Sequence, residues 1–122
     1  MKRVVTGIVA GVAAVCALIA QKAQSANVTG TWQIDYHDKN GVEVDRPKVT
    51  LHQSGDKLTG VFGNRDWKVE GAVTGDAVVF WFHPPQRPDI TVKYQGKLEK
   101  KDLIRGAMAS EVQSGVFTAT RE

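Results

Sequence analysis

The side chains best suited to metal or acid–base chemistry are three histidines, His37, His52 and His83. A zinc site needs such ligands to converge on one point about 2 Å from each. Each histidine instead ends a run in which apolar and polar residues alternate, and each takes the polar phase. In an antiparallel series the ends of successive runs fall on opposite rims. His37 and His83 then share one rim, His52 takes the other, and all three turn away from the apolar face. No metal site is expected. Asp35 and Glu70 lie on the polar phase of different runs, so they do not flank one cleft as a glycosidase pair must. There is no Gly-x-Ser-x-Gly elbow, and Gly55, Gly60, Gly63, Gly71 and Gly75 are spaced as turn and strand glycines rather than as a phosphate loop. The residues therefore nominate no catalytic group and no cofactor.

The aromatics carry more information. Trp32, Tyr36, Phe62, Trp67, Phe80, Phe82, Tyr94 and Phe117 share the inward phase. They either fill a solid core or leave a subset lining a pocket. Tyr36, Phe62, Trp67 and Phe82 fall at run ends on one rim, beside the long connections 38–45 and 83–89. Arg46, Arg65, Asp66 and Arg87 stand at the same rim. The leading expectation is a non-catalytic mouth that buries a small, partly apolar ligand on these four aromatics, with Arg65 and Arg87 fixing a polar or anionic end. Trp81 has the outward phase beside Val79. It is either a contact patch for a protein partner or is covered by the Pro84-Pro85 loop. Protein contact through Trp81 on a solid barrel is the first alternative; an enzyme without a familiar motif is the second.

The elements that must position these residues are short strands. Alternation at period two runs through Trp32-Ile34-Tyr36, Val49-Leu51, Leu58-Gly60-Phe62, Trp67-Val69-Gly71-Val73, Val78-Phe80-Phe82, Ile90-Val92-Tyr94 with Leu98, Ile104-Gly106-Met108 and Phe117-Ala119. The breaks have turn chemistry: Asn40-Gly41, Gly55-Asp56, Asn64-Arg65-Asp66, Gly75-Asp76, the Pro84 to Pro88 stretch, Lys101-Asp102 and Ala109 to Gln113. Short connections make successive strands antiparallel neighbours. The expected fold class is all-β, an eight-stranded antiparallel up-and-down barrel, because closure removes the exposed edges of such a meander.

Charge divides the chain. Lys2, Arg3 and Lys22 flank an uncharged stretch from Val4 to Ala20, followed by small polar residues to Ala26. That order predicts a secretory signal peptide over 1–26, cut after Ser25 or after Ala26. Val15 before Cys16 does not suit a lipoprotein cleavage site. Three of the 16 basic residues belong to this leader, so the domain at 27–122 carries 13 basic and 13 acidic residues, and the overall +3 resides in the leader. A neutral domain argues against a nucleic-acid partner, and loss of Cys16 argues against a disulfide scaffold. The expected location is the bacterial periplasm or the exterior, with no membrane attachment after cleavage.

Gly30-Thr31-Trp32 resembles the Gly-x-Trp opening of the calycins, the lipocalin, fatty-acid-binding and avidin-like barrels, and Phe117-Thr-Ala-Thr-Arg121 resembles their last strand. Gly55-Asp-Lys-Leu-Thr-Gly60 is similar to the second hairpin of avidin-like chains and of small secreted bacterial β-barrel domains of unknown role. The resemblance implies that Trp32 packs at a closed end with Arg121 across its face. It does not extend to biotin: the inward positions lack the polar set that avidin sites use. The lipocalin terminal helix is also missing.

Overall fold

The computed structural model describes residues 26–63 and 66–122. Apart from Ala26, the expected leader lies outside them, as does Arg65. Among the described residues every element is a strand: β1 (Gly30–Asp38), β2 (Glu43–Asp45), β3 (Lys48–Ser54), β4 (Lys57–Phe62), β5 (Trp67–Thr74), β6 (Ala77–Phe82), β7 (Val92–Lys100), β8 (Leu103–Ala109) and β9 (Ser114–Arg121). All neighbours are antiparallel, and β9 returns to β1 from Trp32↔Arg121 to Asp38↔Gly115, which closes the barrel.

Nine segments make eight positions around the barrel. β1 pairs with β3 over Gly30–Gln33 and with β2 at Tyr36 and His37, along the same edge. Between the two, the Ile34 amide donates to the Pro47 carbonyl at 2.8 Å. β2 and β3 are thus one strand interrupted at Arg46-Pro47, where proline has no amide to give to a ladder. The Gln33 side chain bridges the interruption by donating to the carbonyls of Arg46 at 2.9 Å and Pro47 at 3.2 Å. The expectation of a plain loop over 38–45 missed β2. The expectation of a strand from Ile90 is also corrected: β7 begins at Val92, and Ile90 is tied by its amide to the Arg87 carbonyl, buried within the 83–91 connection.

Inward alternation fills the interior. Trp32, Ile34, Val49, Leu51, Val69, Phe80, Ile104 and Phe117 are among the side chains essentially sealed from solvent. So small a barrel needs strands that coil tightly, and glycine allows this where two backbones meet. Gly96 and Gly106 face each other across β7 and β8. A Cβ on Gly106 would lie 2.1 Å from the Gln95 carbonyl oxygen and 2.4 Å from the Gly96 Cα.

One end is sealed. The Trp32 indole donates to the Val28 carbonyl at 2.9 Å, and the Arg121 guanidinium lies 4.5 Å from the indole centroid. Arg121 also donates to Asp102 and to the carbonyls of Thr29, Asn27 and Lys101. Its stem rests on Gly30, with Cγ 3.7 Å from where a Cβ would be.

Candidate binding site at the barrel mouth

At the other end the strands splay. The β3–β4 ladder stops at Val49↔Phe62, followed by one bond from the Gly63 amide to the Lys48 carbonyl. Beyond it β2 stays with β1, while β4 turns back into β5 with Phe62 opposite Trp67. The Arg46-Pro47 interruption therefore opens the wall, leaving a cleft of about 610 Å³ lined by Asp45, Arg46, Pro47, Lys48, Phe62, Gly63 and Trp67.

Below the cleft, alternation has stacked the rings. Phe62 stacks on Phe82 with centroids 4.3 Å apart, and Trp67 meets Phe82 at 5.5 Å. Tyr94 extends the cluster inward, 5.7 Å from Phe62, stacked on Phe80 at 5.0 Å and edge-on to Phe117 at 5.0 Å. Phe62 and Phe82 are buried and Trp67 is half-buried. The mouth is thus a shallow bowl with an aromatic floor over a filled core, rather than an open tube.

Of the four rim aromatics singled out from the sequence, Phe62, Trp67 and Phe82 come together. Tyr36 is buried on the β9 side, opposite Phe117 in register, and its hydroxyl accepts from Gln113 Nε2 at 3.1 Å. Arg87 is exposed and forks onto Asp89 in its own connection, with both nitrogen–oxygen distances 3.3 Å. That hydrogen bond raises the Arg87 pKa and lowers that of Asp89. Trp81 points outward and is half-buried, opposite Glu70 and Lys93. It shares a hollow of about 250 Å³ with Trp67, Lys68, Glu70, Phe82, His83 and Pro85. His83 Nδ1 lies 3.1 Å from the Ile90 carbonyl, and no metal-holding cluster occurs among the described residues.

Sequence reasoning put the 38–45 connection at this rim but singled out neither Asp45 nor Lys48, both of which line the cleft. Asp45 and Lys48 reach the cleft only because Pro47 breaks the strand between them.

The mouth cations face carboxylates. Arg46 pairs with Asp35 and, at 3.7 Å, with Glu43, while Lys48 Nζ lies 2.6 Å from Glu122. Exposed pairs of this kind add little stability. Asp45 accepts from the Arg46 amide and has no ion pair among the described residues.

No family model matches the chain, and no curated protein sequence matches it. Solved structures do. A redesigned β-barrel aligns with 78% of this chain and 91% of its own at TM-score 0.59 and 18% identity. EF1p2_mFAP2b bound to DFHBI aligns with 78% and 94% at TM-score 0.55 and 15% identity. A redesigned barrel, mFAP1, bound to DFHBI, aligns with 78% and 94% at TM-score 0.54 and 14% identity. At these identities the likeness is one of fold: this chain folds as a closed, eight-stranded antiparallel β-barrel similar to these designed ones.

Proposed function

We propose that this protein is an exported, non-catalytic, calycin-like barrel that holds a small, partly apolar ligand at its mouth. The carrying observation is the cleft of about 610 Å³ above the ring cluster of Phe62, Trp67 and Phe82. A cleft of this size with an apolar floor and a polar rim is what small-molecule sites look like. Barrels of the same fold bind the dye DFHBI, which supports the reading by analogy. The ligand's apolar body lies on Phe62 and Trp67, with Phe82 beneath. Export rests on the leader: Lys2-Arg3, the apolar stretch to Ala20 and the small residues to Ala26.

DFHBI is the first probe. Its emission should rise on titration with the protein, and Trp67→Ala should remove most of the rise. No change in dye emission, and none in tryptophan emission against a panel of lipophiles, defeats the proposal. The hollow beside Trp81 and Pro85 carries the alternative of protein contact. Trp81→Ala should leave the dye response intact under the first reading, and abolish partner capture under the second.

A further inference from the structure

The barrel wall parts in a second place, between β5 and β6. Their ladder ends toward the mouth at Glu70↔Trp81. Beyond that pair β5 runs on with β4, to Phe62↔Trp67, and β6 runs on with β7, to Phe82↔Val92. Continued in register, the β5–β6 ladder would set Pro84 opposite Trp67, and proline has no amide to give it. The two edges fork, and the hollow of about 250 Å³ lies in the fork. Trp67 and Lys68 come from one edge, Phe82, His83 and Pro85 from the other, and Glu70 and Trp81 stand at the last rung.

This fork adjoins the cleft. Trp67 lines both, so one indole is the wall between them. Phe62 in the cleft stacks at 4.3 Å on Phe82, which lines the hollow, and Phe82 meets Trp67 at 5.5 Å. One aromatic cluster therefore floors both openings. Trp67 is half-buried, so part of the indole is exposed for a molecule to lie across. Size and lining say what the hollow takes. Ligand pockets usually hold about 300–1,000 Å³; the cleft falls in that range and the hollow below it, which suits the hollow to one ring of a larger molecule. Four of its seven lining residues are aromatic or proline, so that ring is apolar.

Building on the proposed binding site, we infer that the fork between β5 and β6 is its second subsite, and that the ligand is an elongated molecule of two apolar units joined by a short flexible arm. One unit sits in the cleft on Phe62, the arm crosses Trp67, and the other unit lies in the hollow against Trp81 and Pro85. A compact molecule such as DFHBI occupies the cleft and stops there.

Two matched probes test this: 2-methoxynaphthalene and 2-benzyloxynaphthalene, each titrated and followed by amide shifts in NMR. The methoxy compound should shift Phe62, Gly63 and Trp67 and leave Glu70 and Trp81 still. The benzyloxy compound should shift both groups and bind at least about 5-fold tighter, as partial burial of one more ring supplies. Trp81→Ala should erase that margin and leave the affinity of the methoxy compound unchanged, which also shows that the variant has kept its fold. Equal affinities, a margin without shifts at Glu70 and Trp81, or a margin that survives Trp81→Ala overturns the subsite while the cleft stands. Equal weakening of both compounds by Trp81→Ala overturns it too, because Trp81 would then brace the cleft. If neither compound shifts the cleft, the binding site falls and the inference with it.

Discussion

The two ends of the barrel differ in how completely their polar groups are used. At the closed end Arg121 meets a carboxylate, three backbone carbonyls and an indole face. The connections there are tight, with Gly55 and Gly75 at φ 63° and 61° where other residues would be strained. At the mouth two connections are long, the wall parts at Pro47, and Asp45 lacks an ion pair among the described residues. At the closed end these contacts hold the first and last strands together. On the proposed function, one barrel divides stability and recognition between its rims.

That division makes the closed end the place where substitution should do most harm. Trp32→Ala should cost about 3–5 kcal/mol in denaturant unfolding, enough to unfold a domain of this size at moderate temperature. A loss under about 1 kcal/mol would mean the end is not a latch. Gly106→Ala probes the barrel wall. Its Cβ meets backbone at 2.1 Å, so the strands must part, and a cost of about 1–3 kcal/mol is expected in the same assay. Trp67→Ala, at the mouth, should cost only about 1–2 kcal/mol because the ring is half-exposed, yet remove most dye binding. If it cost as much as Trp32→Ala, the two ends would not differ in kind.

Much of this fold is legible in the chain. Period-two alternation located the eight barrel strands, and the antiparallel closure follows from their short connections. The closed-end pair, Trp32 and Arg121, is readable only through a resemblance, because no local pattern links residues from the first and last strands. The mouth is less legible for physical reasons. Glu43-Val44-Asp45 shows no inward phase, since β2 is exposed on both faces and packs on no core, so alternation had nothing to report. Pro47 is visible as a strand breaker, but that β2 resumes along the same edge of β1 depends on long-range pairing. The pairing of Arg46 with Asp35 needs β1 and the β2–β3 edge to meet, and that of Lys48 with Glu122 needs β9 to return to β1.

Two smaller effects sharpen the comparison. The Tyr94 phenol has its pKa raised above the ordinary 10.0 by burial, by Asp45 and by Tyr36. A group raised in the folded state stabilises fully below its unfolded pKa and loses that contribution as pH climbs through the folded one. Stability should therefore hold steady with respect to Tyr94 below pH 10 and fall above it, and Tyr94→Phe should flatten that alkaline fall. Ultraviolet tyrosinate absorbance should show one tyrosine ionising only as the fold is lost. Arg87→Ala, which breaks an exposed pair with Asp89, should leave the unfolding midpoint unchanged.

The most direct measurement of the central claim is a map of amide shifts in the protein as DFHBI is added. The account predicts saturable shifts at Asp45, Lys48, Phe62, Gly63, Trp67 and Phe82, with Val28, Trp32 and Arg121 still. Shifts centred on the closed end or on the outer face at Trp81, or none at saturating dye, would contradict it.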